Sequence, residues 1–169
     1  MKKSFICLFL GLFLAGISNS CEFLRVCEDD KLSTTRLPYN ANDLKINGFY
    51  YGDTVISQNK PIIYVNYFFR NGIVIFNSMS LDNIALPTPI LFADSTLLKQ
   101  SKSSWGLFKI EGNKLIIEQW IPQYGGCLKA VKEETQILND TTYLRKRTNT
   151  LYHFKASYFK PDSTNNFIK

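Results

Sequence analysis

The sequence has one histidine, His153, and four cysteines, no two of which form a Cys-x-x-Cys pair. That scarcity works against a dedicated zinc centre, which draws its four ligands mainly from those residue types. His153 stands between Tyr152 and Phe154 in a β-prone run. A general base needs a nucleophile and an orienting partner within reach, and the pattern supplies neither, so an ordinary strand histidine is expected. No Gly-x-Ser-x-Gly elbow and no glycine-rich phosphate loop occurs. Asp53, Asp82 and Asp94 lack the spacing of a calcium loop. Glycoside chemistry needs two acids across a cleft. Here Glu111 falls in a turn, Glu118 lies in the same hairpin and is expected to face solvent, and Glu133-Glu134 reads as a surface pair. The expectation is a chain that is not an enzyme and that uses no metal and no cofactor.

A long apolar run is also missing. Phe5 to Ile17 is almost wholly apolar but covers only about thirteen residues, and a helical membrane span needs roughly twenty. Lys2 and Lys3 precede it, and small residues follow. Positive start, short apolar core and small residues read as a secretory signal over residues 1–20. Cleavage near Ser20 that leaves Cys21 a plain thiol, and retention as an uncleaved anchor, are the competing readings. The quartet Ser18-Asn19-Ser20-Cys21 resembles the end of a bacterial lipoprotein signal, in the looser form of Bacteroidetes-type bacteria. The resemblance implies a diacylglycerol on the Cys21 sulfur and an acylated amine, hence a bilayer partner. One acyl chain holds a protein only marginally, whereas several hold it stably. In such lipoproteins an Asp after the cysteine favours the inner membrane. Glu22 therefore implies the outer membrane. Glu28-Asp29-Asp30 is similar to the acidic signals that carry such proteins to the cell surface, and it also reads as a plain acidic linker.

Of the remaining cysteines, Cys7 falls in the leader, and Cys27 and Cys127 are left as an even pair in an oxidising compartment, where a disulfide can form. The formal charge of +6 falls by two when Lys2 and Lys3 leave with the signal. That balance is mildly basic. Leu144-Arg145-Lys146-Arg147 is the densest basic stretch, but on a strand it splits between both faces. A solvated barrel face explains it better than nucleic acid, which is not expected as a partner.

What the chain has in quantity is aromatic residues, 13 Phe and 9 Tyr, and turn signals. Residues 21–45 read as an acidic tether, with Leu32 and Leu37 as its candidates to pack on the body. Residues 46–156 alternate between β-prone runs and turns. Arg70-Asn71-Gly72 between Ile62–Phe69 and Ile73–Ser78 is the strongest hairpin signal. Glu111-Gly112-Asn113 joins a second hairpin. In its return strand Leu115, Ile117, Gln119 and Ile121 share one face, the expected core face, and Ile116, Glu118 and Trp120 share the other. Cys127–Leu138 fits either a strand or a helix alone and is read as a strand because Asn139-Asp140 opens a third hairpin. Leu86-Pro87-Thr88-Pro89 stops regular structure, and Ile90–Lys99 fits a short helix or a crossing loop. Residues 157–169 form a polar tail, expected to be loose.

About eight strands joined by tight turns predict an all-β fold: an antiparallel up-and-down meander closing into a barrel, since closure hides the strand edges. The arrangement resembles the calycin group, the lipocalins and their short relatives. The run Trp105-Gly106-Leu107-Phe108-Lys109-Ile110-Glu111-Gly112-Asn113 is similar to one found in small Bacteroidetes lipoproteins. The resemblance implies a lipocalin-like barrel on a lipid anchor. An eight-stranded interior holds side chains or one small ligand. Tyr50, Tyr64, Phe68, Phe76, Trp105 and Phe108 are the candidates to line a cavity for a small apolar ligand, and they fit a solid core equally well. The alternative is a structural or interaction module of the envelope that meets a protein or glycan through surface aromatics such as Trp120 and Tyr50-Tyr51.

Overall fold

A computed structural model of the chain describes residues 27–57, 60–80, 95–158 and 160–169. The leader, Cys21 and the Pro87–Pro89 stop lie outside those residues. The fold is all-β, as expected. The strands are β1 (Gly48–Ser57), β2 (Lys60–Phe68), β3 (Ile73–Ser80), β4 (Trp105–Glu111), β5 (Lys114–Pro122), β6 (Leu128–Asn139), β7 (Thr142–Arg145) and β8 (Thr150–Ala156). Each pairs antiparallel with the next, and β8 closes on β1 from Gly48↔Ala156 to Tyr51↔His153. A short helix, α1 (Ser95–Gln100), and a 3-10 turn (Lys102–Ser104) precede β4.

The turns follow from local chemistry. Gly72 has φ +79°, and a Cβ there would meet the Leu37 carbonyl oxygen at 2.4 Å. The Asn71 side chain accepts from the Ile73 amide, so the Asn-Gly pair is required twice over. Asn139 Oδ1 accepts from the Thr141 amide and hydroxyl, an Asx turn that opens the third hairpin. Cys127–Leu138 resolves as strand because Leu128–Gln136 pair residue by residue with β5.

Strand parity sorts the side chains into two sets. Phe68 lies 4.9 Å from Phe108 and 5.9 Å from Tyr143, ring to ring, and Tyr50 lies 5.3 Å from Tyr143. Strands β2 and β7 are not neighbours, so rings meeting from them occupy the barrel interior. Leu115 and Ile117 belong to this inner set, as the hairpin pattern predicts. Gly106 faces inward too, and its missing Cβ leaves space for the Phe76 ring. The second set, including Ile63, Val65, Ile75, Trp105, Leu107 and Trp120, points outward and is buried all the same. The two ends of the chain cover it.

This corrects the reading of residues 21–45 as a tether. From Cys27 onward the segment is a strap bound to the barrel. Cys27 and Cys127 form a disulfide, with Cα atoms 5.7 Å apart. Asp29 accepts from the Leu128 amide at 2.8 Å and pairs with Lys102 at 2.9 Å. Asp30 gives its amide to the Leu128 carbonyl and accepts from the Ala130 amide and the Trp120 indole. Leu32 packs on the outer core, while Leu37 stays exposed. Further along, the Tyr39 amide donates to the Arg70 carbonyl and the Lys45 amide to the Asp140 carbonyl. Tyr39 and Leu44 join the inner set and close that end of the barrel. The tail is not loose either. Pro161 and Ile168 are buried, and Lys160 gives protons to the carbonyls of Ile46 and Phe68 while lying over the Phe69 ring. Apolar residues spaced through both ends give each a face to bury, which a polar average conceals.

Candidate functional site

The closed end of the barrel is solid. Tyr143 stacks on Tyr152 at 4.8 Å with planes 4° apart. Its hydroxyl accepts from Asn66 Nδ2 at 2.6 Å across the interior. Burial raises the Tyr143 hydroxyl well above its ordinary value, with the nearby Tyr152 adding to it, so it stays protonated. Tyr50, Phe68 and Phe108 fill the remaining space. Three of the six aromatic candidates are thus packing residues of this half.

The other end is built differently. Strand β7 has 4 residues and β8 has 7, against 12 in β6. β7 pairs with β6 only between Gln136 and Asn139, and β8 with β1 only up to Tyr51. Among the described residues the barrel wall is therefore low between the upper parts of β6 and β1. Inner positions are less covered here. Phe76, Gln119 and Val131 are half-buried, and Tyr64, with the same parity as Asn66 and Phe68, is 48% exposed. Phe76 and Tyr64 are the two aromatic candidates that stand at this open half.

Trp105 is a correction. It points outward, is fully buried under α1, and gives its indole N–H to the Leu98 carbonyl at 2.7 Å. Its parity is opposite to that of Phe108, which faces in. Trp120 and Tyr50 are not surface aromatics: both are buried, Trp120 beneath Lys102, whose ammonium lies 4.5 Å from the ring centroid.

The acids also fall elsewhere than expected. Glu118 does not face solvent. It is 3% exposed beneath the strap, where it accepts from the amides of Ser33 and Thr34 and from the Ser33 hydroxyl at 2.6–3.0 Å. Burial alone would raise its carboxyl, but the donors of Ser33 and Thr34 outweigh it and hold the group below its ordinary value. Glu133 is not a surface residue. It is paired with Ile117 across the ladder and shares parity with Ile137, both inner residues. Arg145 shares parity with Tyr143 and faces in as well. Its Nε and Nη2 both reach Glu133 Oε2, at 2.8 and 2.7 Å, with side chains 17% and 9% exposed. Arg147 Nε stands 3.6 Å from the same oxygen. Burial opposes the Arg145 charge, and the carboxylate outweighs it, lifting the guanidinium above its ordinary value. Glu133, Arg145 and the Asn66–Tyr143 bond are the interior polar groups that motif searching misses. The signal that finds them is parity: Glu133 sits two and four residues from Thr135 and Ile137, and Arg145 two from Tyr143.

His153 is exposed on the outer face of β8, beside Tyr51 at 6.0 Å. Among the described residues, no three His, Cys, Asp or Glu converge, and no helix is long and apolar enough to cross a membrane. Comparison of the chain with family models, curated proteins and solved structures returned no match.

Proposed function

We propose that this chain is a membrane-anchored envelope lipoprotein that binds a small, largely apolar ligand in the open half of its barrel and catalyses no reaction. The observation that carries the binding role is the division of the interior. One half is packed solid with aromatic rings, while Phe76, Val131, Gln119 and Tyr64 stand partly uncovered in the other. A concave, mainly apolar surface with a few converging polar groups is the usual form of a small-molecule site. The leader pattern and Cys21 support the anchor, and Glu22 supports the outer membrane. The lipocalin-like resemblance fits the same reading.

Two measurements test it. Intact mass of the chain extracted from membranes is expected to report acylation at Cys21; an unmodified N-terminus at another residue overturns the anchor. A fluorescent fatty-chain probe is expected to bind the purified protein and to be excluded by Val131→Trp, with the far-UV spectrum of the fold retained. Unchanged probe binding in that variant overturns the barrel site.

A further inference from the structure

We infer that the Glu133–Arg145 pair is the polar end of this site, and that it selects an uncharged hydrogen-bond donor, a hydroxyl or an amide N–H, on an otherwise apolar molecule. The inference rests on the ligand-binding role proposed for the barrel. Its basis is an asymmetry in how the carboxylate is used. Both Arg145 contacts and the Arg147 contact converge on Glu133 Oε2. Glu133 Oε1 is buried and has no hydrogen-bond partner among the described residues. A buried acceptor left unpaired is costly to desolvate, and the side chain that carries it is nine-tenths buried.

The position suits a ligand's polar group. Along β6, Lys129, Val131 and Glu133 face inward in succession from the rim. At about 3.3 Å per residue, Glu133 lies roughly 13 Å along the strand from Lys129, inward from the rim. Below Glu133 the aromatic packing begins, with Tyr143 and Tyr152. The carboxylate therefore stands at the floor of the open half, with Val131 above it.

The charges around it choose the headgroup. Two guanidinium groups already face the carboxylate, so an incoming ammonium meets two cations for one anion. An incoming carboxylate would set one anionic oxygen against Oε1. A neutral donor meets neither penalty and completes the acceptor. The apolar remainder of the molecule then lies against Val131 and Phe76.

The test uses n-decanol, decanoate and decylamine as competitors of the fluorescent probe on the purified protein. Decanol is expected to displace the probe at about tenfold lower concentration than either ion. The paired variant Glu133→Met with Arg145→Met removes the acceptor without stranding the arginine, and is expected to bring the three competitors closer together. Equal displacement by all three in the wild type, or a preference for decanoate or decylamine, overturns the inference while leaving the ligand site standing. Retention of the decanol preference in a folded paired variant overturns it too. Absence of any probe binding by the wild type overturns the ligand site itself. Should the paired variant not fold, the wild-type order alone decides.

Discussion

Asn66 on β2 and Tyr143 on β7 share no sheet edge, yet Asn66 Nδ2 donates to the Tyr143 hydroxyl at 2.6 Å through the middle of the barrel. Both are buried. The bond ties two non-adjacent walls together across the packed interior.

Removing the hydroxyl alone should be costly. Tyr143→Phe keeps the stack on Tyr152 but leaves the Asn66 amide buried without its acceptor. A loss of about 1–3 kcal/mol is expected by urea unfolding. Adding Asn66→Leu should recover part of that loss, because two apolar partners replace a stranded donor. A Tyr143→Phe protein as stable as the wild type would show that the cross-barrel bond contributes nothing.

The hairpins were legible in the sequence because their determinants are local. Asn71-Gly72 and Gly112 need no distant partner to make their turns. The parity of β5 was legible for the same reason: Leu115 and Ile117 alternate with Lys114 and Glu118. The inner and outer sets were harder to separate on β2 and β4. There both parities are apolar, Tyr67 beside Phe68 and Leu107 beside Phe108, since the chain's own ends bury the outer face. A residue-by-residue pattern does not reveal a cover supplied from far along the chain. The same cover lets Trp105 turn outward and stay buried, against the expectation that it lines the interior. Glu118 and Glu133 depart from the ordinary surface placement of an acid because each owes its burial to donors distant in sequence: Ser33 and Thr34 for one, Arg145 for the other.

The Glu118 clasp should hold the strap down in a pH-dependent way. Its folded carboxyl titrates below the ordinary value, so its contribution is complete above the unfolded value and is lost as pH falls through the folded one. Charge-assisted bonds to buried groups contribute about 1.5–3 kcal/mol. In Glu118→Gln the amides of Ser33 and Thr34 are expected to exchange hydrogen faster at neutral pH. In the wild type the same loosening should appear only in acid. Protection at Ser33 and Thr34 that is equal in both proteins at neutral pH would exclude the clasp.

The Cys27–Cys127 bridge closes a loop of 100 residues, and a cross-link of that span restricts the unfolded chain strongly. Reduction is expected to lower stability by about 2–4 kcal/mol. Loss of protection should spread through the strap as far as Asp30, whose amide is held by Leu128. Cys127→Ser should match the reduced wild type, and adding Cys27→Ser should cost nothing further. A large additional loss in the double variant would mean that the thiols stabilise the protein separately, without a bridge.

Lys160 couples the tail to the closed end, and its charge is the most pH-sensitive feature there. Burial, helped by the nearby Arg70, lowers its ammonium to about 8, while the unfolded chain titrates near 10.5. The unfolded state thus binds more protons between these values, so stability contributed by this residue rises with pH across that window. Below pH 8 the buried charge carries its full desolvation cost, offset by the carbonyls of Ile46 and Phe68 that accept its protons. The stability of the wild type relative to Lys160→Met should therefore increase from pH 8 to 10.5 and stay level below 8. A side-chain nitrogen titration by NMR should place the midpoint near 8. A midpoint near that of an exposed lysine, with a flat stability difference, would show that the tail leaves this ammonium in water.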